Sequence, residues 1–534
     1  MWIRVNNIIL DIEEDINLLK TKAAKKLKIK ENQIKDFRIY KESIDARKKN
    51  SIKFNYCVEV TCDNMDKILS RVNSNEVKIE NKKYNAEIEF GSEKLNNRPI
   101  IIGMGPAGLF AGLLMAQKGY KPIIIERGQD VDNRSKSVDN FWIKRELNKE
   151  SNVQFGEGGA GTFSDGKLTT RIKDERCHYV LEELVKAGAP EEILYMAKPH
   201  IGTDILKSVV KNIRKTIIDL GGEVLFNSKL EDLIIKNNKI QAVIVNGNEI
   251  PCEALILAVG HSARDTYEML FKRGVFMTAK PFAIGVRIEH LQDLINENQY
   301  GKYKDHPRLK AAEYKLTYSS KNLNRSVYSF CMCPGGQVVA AASEENTVVV
   351  NGMSNYKRDS ENANSAIVVS VNPEDFGSTS PIAGINFQRH YEALAYKVAG
   401  ANYNAPIQLV EDFLNDKKST KLGNVKPSYA PGVEFSQMKE CLPDYVIKAL
   451  KEALPVFDKR ILGFGSGDAI LTGIETRTSA PVRINRNENN MSISTEGLYP
   501  AGEGAGYAGG IISAAVDGLK IAETIIKKYN VPNY

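Results

Sequence analysis

The spacing of apolar positions changes character several times along this chain. Trp2–Leu10 predicts a strand, and Ile16, Leu19, Ala23 and Leu27 then recur at helical spacing. Phe37–Ile44 and Ile52–Cys62 alternate around a Lys48-Lys49-Asn50 turn. Met65–Val72 predicts a short helix and Tyr84–Phe90 a closing strand. The order strand, helix, strand, strand, helix, strand predicts a separate ferredoxin-like α+β module over residues 1–91. Polar GSEKLNNR (91–98) reads as a linker.

At Pro99 the texture becomes continuously apolar. Ile100–Ile102 predicts a buried strand, a helix runs to about Lys118, and Pro122–Glu126 predicts a second strand. Ile205, Val209, Ile213 and Ile217 form a helical stripe that stops at Gly221-Gly222. A meander is predicted next: Glu223–Asn227, Asp232–Lys236, Lys239–Val245 and Glu253–Val259. Residues 276–460 mix strand and helix, and the chain ends with a strand, a glycine-rich turn and a helix over Ile511–Lys527. The fold class is α/β. A Rossmann-like domain (99–275 and 461–534) would carry an inserted α+β substrate domain (276–460).

The strongest chemical signal is Gly103-Met-Gly105-Pro106-Ala107-Gly108 between strand and helix. Gly103 permits the tight turn, Gly105 lets a pyrophosphate approach the backbone, and Gly108 permits close helix–strand packing. The helix N-terminus offers N–H groups and partial positive charge to the anion. Glu126, at the end of the second strand, is placed to accept ribose hydroxyl protons, and a carboxylate there disfavours a 2′-phosphate. At the other end of the chain, Ala501-Gly502-Glu503 and Ala508-Gly509-Gly510 open the last helix. Glu503 can accept from ribityl hydroxyls, and the N–H groups of Gly510 and Ile511 can face the flavin N1/O2 edge. This second contact favours FAD over NAD as the bound dinucleotide.

Several blocks, among them NVQFGEGGAGTFSDGKLTTR (152–171), FCMCPGG (330–336), GIETRTSAPVRI (473–484) and GLYPAGEGAGYAGGIISAAVDG (497–518), resemble an FAD-dependent family labelled NAD(FAD)-utilising dehydrogenase. The resemblance covers nearly the whole chain. It implies a glutathione-reductase-type FAD fold, with Gly103, Gly105, Gly108, Glu126 and Arg127 on the adenosine half. The Gly156–Gly161 loop, Gly158 and Gly159 included, would meet the pyrophosphate or flavin, and Gly502, Glu503 and Gly510 the ribityl–flavin half.

The helix after the first glycine turn reads LFAGLLMAQKGY, without the cysteine pair of disulfide reductases, and there is no second dinucleotide fingerprint. NAD(P)H would therefore reduce the flavin only by docking transiently in the substrate cleft, or an electron carrier would serve instead. Cys331 and Cys333, alternating on a strand, would place both sulfurs on one face; a redox or substrate-contacting thiol and an inert apolar role both stay open. Arg477 is the first choice for a substrate-facing catalytic residue, with Lys167, Arg171 and Arg483 as further anion clamps. His261 and His200 are acid–base candidates, with capping or core packing as the alternative.

The 534 residues carry 73 Lys and Arg against 66 Asp and Glu, a net charge of +7. Residues 1–98 hold 21 basic and 16 acidic side chains, so most of the excess lies there. That bias is too mild for a nucleic-acid footprint. Seven cysteines without paired spacing fit neither a disulfide framework nor a zinc site, and predict a cytoplasmic chain without metal. No membrane span is predicted, because the apolar run Ile100–Ala116 is the strand and helix of a buried sheet. Together these features predict an FAD-dependent reductase or dehydrogenase that transfers a hydride between flavin N5 and a small organic substrate. The alternatives are a flavin monooxygenase, or a redox sensor that binds RNA or protein through its N-terminal module.

Overall fold

In the computed structural model, residues 2–72, 74–80 and 87–532 are described. Trp2–Asp11, Ile34–Asp45, Lys53–Cys62 and Val77–Glu80 form an antiparallel sheet. The strand order is second, third, first, fourth. Alternation on either side of a bulge between Val5 and Ile8 turns Ile3, Val5, Ile8 and Leu10 into the core, where Leu19, Ala23 and Leu27 of the helix Leu18–Leu27 meet them. Ile16 lies ahead of that helix and is exposed. Residues 84–86 of the expected last strand fall outside the described residues, 87–90 have no regular structure, and Val77–Glu80 closes the sheet instead.

This segment does not stand apart from the rest. Its core is continuous with that of the 276–460 region. Arg308 reaches across to donate to the carbonyls of Ile12 (2.9 Å) and Glu14 (2.8 Å) and to Tyr56 Oη (3.0 Å). Residues 91–94 are likewise laid along the last helix, with Gly91 N donating to Ile526 O at 2.9 Å.

A five-stranded parallel sheet carries both glycine turns. Its order is Leu498–Pro500, Leu255–Leu257, Ile100–Ile102, Ile123–Ile125, Glu223–Leu225. Ile101, Ile124, Ile256 and Tyr499 pack toward the helices Pro106–Gln117 and Ile511–Lys528 on one face. Ile100, Ile102, Ile125 and Leu255 pack against a three-stranded sheet on the other. The predicted four-strand meander is thus divided. Only Leu230–Lys236 and Lys239–Val245, with Asn248–Pro251, form a meander, while the outer two strands join the parallel sheet. Residues alternating to both faces of a doubly covered strand give no polar side to tell the two arrangements apart.

The third layer is a seven-stranded sheet ordered Thr317–Ser320, Arg325–Cys333, Asn362–Val371, Phe282–Leu291, Ile470–Glu475, Ala405–Leu409, Val433–Phe435. Its Ile470–Glu475 strand comes from beyond the boundary expected at residue 460. The parallel sheet correspondingly takes only Leu498–Pro500 and the last helix from the C-terminal segment.

Candidate functional site

The turn after Ile100–Ile102 is built by glycine. Gly103 has φ of 95°, donates to Ile125 O (2.8 Å), and leaves no space, since a Cβ there would lie 2.4 Å from Ala258 O. A Cβ on Gly108 would lie 1.9 Å from Gly103 O, so helix and turn touch through backbone alone. Gly105 differs: a Cβ would point into open space, with Gly159 Cα nearest at 3.8 Å. Pro106 and Ala107 start the helix, whose first N–H groups face that space.

Glu126 is buried at the end of the neighbouring strand. Its Oε2 accepts from Met104 N (2.8 Å), and its Oε1 from Gly128 N (2.9 Å) and Gly156 N (3.0 Å). One carboxylate therefore ties the glycine turn to the 152–161 loop. Arg127 lies over the Phe155 ring at 4.2 Å and pairs with Asp265 and Glu150. The loop is held from beneath by Arg134, fully buried, which donates to the carbonyls of Asn152, Val153 and Glu157. Gly159, Ala160 and Gly161 face the open space. Gly158 does not: it turns toward Thr162 and Val210, and its N–H donates to Met104 O at 2.8 Å.

The C-terminal turn converges on the same space. Gly502 N donates to Asp517 Oδ2 (2.7 Å), itself paired with Arg486, so Gly502 fixes the turn from behind and does not line the cavity. Glu503 does line it, and burial pushes its carboxyl up to about 7 despite the Gly510 N–H and Lys280 nearby. Gly510, with φ of 101°, opens the last helix at Ile511, and nothing lies within 4 Å of a Cβ position on Gly509 or Gly510.

Both turns line one continuous cavity of about 1530 Å³. That exceeds the roughly 300–1,000 Å³ of an ordinary small-molecule site, which leaves room for a dinucleotide and a second ligand. The seven-stranded sheet supplies the opposite wall, including Tyr328, Phe330, Cys331 and Glu475.

On that wall the sequence reading needs correction. A bulge between Phe330 and Cys333, with Cys331 at φ of 43°, breaks the alternation, and both cysteines nonetheless line the cavity. Cys331 is exposed to the cavity, while Cys333 is buried with its Sγ 3.3 Å from Cys331 O. All seven cysteines are free. Burial pushes the Cys331 thiol to about 12 and that of Cys333 to about 11, against the pull of Arg287. Neither is a thiolate at neutral pH.

Arg477 lines the cavity but is already engaged. It pairs with buried Glu392 (3.1 Å) and donates to Ser262 Oγ (3.1 Å) and Ser343 Oγ (2.5 Å). Lys167 and Arg171 stand at the mouth, Lys167 bonded to Glu313 at 3.1 Å. Arg483 points elsewhere: it is exposed, donates to Gly506 O (3.3 Å) and lies over Tyr507, outside the cavity lining. His261 lines the cavity and is held neutral by burial, with Arg477, Arg264 and Lys280 nearby, at about 3. His200 is buried against Tyr356, outside the lining, and burial lowers it to about 4.

The sequence reading missed Glu475, whose Oε2 accepts from buried Arg287 Nε at 2.7 Å, together with Lys280, Arg134 and Asp517. Glu475 and Arg477, two apart in an extended segment, had a signal in their spacing; the others carried none.

Residues 281–478 match the family described as FAD-dependent protein, C-terminal domain-like, and residues 2–61 a domain of unknown function. An uncharacterised protein of Clostridium beijerinckii is 60% identical over 532 residues, 100% of both chains. The chain belongs to one family with this Clostridium beijerinckii protein, and its residues 281–478 carry the match to the FAD-dependent C-terminal domain. A thiamine thiazole synthase of Aeropyrum pernix is 25% identical over 219 residues, 38% of this chain and 68% of that one. The solved glycine oxidase of Geobacillus kaustophilus superposes with a TM-score of 0.36 at 10% identity, over 83% of this chain and 97% of that one.

The residues of the cavity fit the family's cofactor. The open Cβ positions at Gly105, Gly509 and Gly510 are cradles that a side chain would fill. Two helix N-termini line the same space, with Pro106 and Ile511 both beside Gly161. Among the described residues no group of three or more His, Cys, Asp and Glu could hold a metal. None of their helices is long and apolar enough to cross a membrane.

Proposed function

We propose that this chain is an FAD-dependent oxidoreductase acting on a small organic substrate held between the parallel sheet and the seven-stranded sheet. The observation that supports this most is the sharing of one cavity by Gly105 and Glu503. Bound there, FAD supplies hydride acceptance and donation. The chain supplies position and charge. The helix starting at Pro106 takes the pyrophosphate, and Glu126 and Arg127 take the adenosine end. Glu503 accepts from ribityl hydroxyls, and the N–H groups at Gly510 and Ile511 meet the pyrimidine edge, in a glutathione-reductase-type arrangement.

We assign residues 1–91 to a ferredoxin-like module and 99–275 with the C-terminal segment to the FAD domain. The substrate domain extends to about the end of the Ile470–Glu475 strand, whose place in the seven-stranded sheet argues for that limit. Its free, largely buried cysteines suit a reducing cytoplasm. The electron donor, NAD(P)H or a carrier, docks in the substrate half, since the parallel sheet has one fingerprint only.

Purified protein incubated with FAD should show flavin absorption. Anaerobic addition of NADH, NADPH or metabolite pools should then bleach it stoichiometrically with one reductant. Colourless protein that retains no FAD on dialysis would refute the reading.

A further inference from the structure

We propose that Lys280 is the anion-recognising side chain on the substrate side of the cavity, taking the carboxylate of a monoanionic organic acid. The inference rests on the oxidoreductase reading above.

Lys280 follows the short strand Met277–Ala279, and its backbone N–H is anchored on Pro481 O at 2.9 Å. Its half-buried side chain lines the cavity, where its ammonium donates to Ser479 Oγ at 3.2 Å. Among the described residues no carboxylate lies within 4 Å of it.

Most other cations lining this cavity are matched. Arg477 is tied into one network with Arg264 and Arg389, which lie outside the lining, and with Glu268, Glu344 and Glu392. Arg127 and Lys229 share Glu150 and Asp265. Lys167 and Lys198 share Glu313. Arg171 and Lys315 also lack a carboxylate, but they are exposed at the mouth, where water solvates them.

Lys280 is different because it is partly stripped of water and holds no carboxylate within ion-pair distance. Its charged neighbours lie beyond that distance: Glu503, which attracts it once ionised, and Arg483, which repels it. Neutral His261 stands close by. An incoming anion completes such a group. One unmatched positive charge suits a monoanionic carboxylate better than a dianionic phosphate. The adjoining Phe282, with Tyr328 and Phe330 across the lining, offers surface for an apolar body.

The same ammonium chemistry would suit the anionic pyrimidine of a reduced flavin, so the experiment separates the two sources. Protein incubated with FAD is titrated with benzoate, benzamide and phenyl phosphate, read by calorimetry and flavin absorption. Benzoate should bind saturably, and at least tenfold more tightly than either of the others. Lys280→Met should weaken benzoate at least tenfold, and Lys280→Arg should restore most of it, with thermal midpoint and flavin content unchanged. Sulfite, whose addition to flavin reads positive charge beside the pyrimidine, should bind parent and Lys280→Met alike.

Absent benzoate binding, equal binding of benzamide, tighter binding of phenyl phosphate, or benzoate affinity unchanged in Lys280→Met overturns the proposal. A tenfold loss of sulfite affinity with benzoate binding intact also overturns it, by making Lys280 a flavin partner. Protein that takes up no FAD defeats the oxidoreductase reading instead, and the calorimetric comparison of benzoate on parent and variant still decides Lys280.

Discussion

Arg264 forks onto Glu392, Nη2 to Oε1 at 2.6 Å and Nη1 to Oε2 at 2.9 Å, with both side chains buried. Glu392 also accepts from Arg477 and from Thr476 Oγ1 at 2.6 Å. One carboxylate thereby joins the helices Arg264–Lys272 and Ala383–Val398 to the segment after Ile470–Glu475, behind the cavity wall. Glu392→Gln leaves two buried guanidinium groups short of a charge. Loss of one partner of a buried pair costs about 3–5 kcal/mol, and chemical denaturation of the variant should show a loss of that size. Burial raises the Glu392 pKa, but Arg264 and Arg477 outweigh it and hold the group at about 2, below its ordinary 4.5. The charged pair therefore stabilises the protein above pH 4.5 and is lost as pH falls toward 2. The variant should lack that acid limb; equal stability of both proteins across the range would refute the assignment.

Gly105 separates folding from cofactor binding. Its φ of −73° suits any residue, and a Cβ would meet only Gly159 Cα at 3.8 Å. Gly105→Val should therefore keep the parent's thermal midpoint within a few degrees while losing most bound FAD, read as the ratio of flavin to protein absorption. Gly108→Val, whose Cβ would sit 1.9 Å from Gly103 O, should fail to fold. Full flavin occupancy in Gly105→Val would remove the pyrophosphate from this turn.

The parts legible in the sequence are those written within a few dozen residues. Ile100–Ile102, the Gly103–Gly108 turn and its helix have a periodic local signal, and the structure places them within a residue or so of the expectation. The cavity shared by Gly105 and Glu503 was also legible, because each turn announces a helix N-terminus. What stayed hidden depends on partners far apart in the chain. Lys280 is informative only because Ser479, and no carboxylate, lies beside it. Arg477 reads as a free clamp until Glu392 is found against it. The Cys331–Cys333 segment departs from simple alternation for a local reason, a one-residue bulge that the sequence does not announce, although both residues line the cavity.

Cys331 faces the cavity yet is held as a thiol. Burial pushes it to about 12, with Arg287 pulling the other way. Against a free cysteine near 8.5, that reduces the thiolate fraction at pH 7 by about a thousandfold. Iodoacetamide should accordingly label Cys331 on the order of a thousand times more slowly than a model peptide, with the rate still rising tenfold per pH unit at pH 10. Cys331→Ser and Cys333→Ser should both leave flavin reduction intact. Labelling that levels off near pH 7 would reveal a thiolate and revive a redox role for the pair.

Glu503 should make the flavin-free protein sensitive to pH in the opposite direction from Glu392. Burial raises its carboxyl from the ordinary 4.5 to about 7, with the Gly510 N–H and Lys280 opposing only in part. The folded state therefore binds this proton more tightly than the unfolded state does. Stability from that proton is complete below pH 4.5 and is lost as pH rises through about 7, because ionisation then has to occur inside the protein. Thermal midpoints of flavin-free protein should fall across that window, and Glu503→Gln, neutral at every pH, should flatten the fall. FAD, whose ribityl hydroxyls would donate to the carboxylate, should flatten it too by stabilising the ionised form. A midpoint profile identical in parent and Glu503→Gln would show that Glu503 ionises as freely as a surface carboxylate, and would take away its place against the ribityl chain.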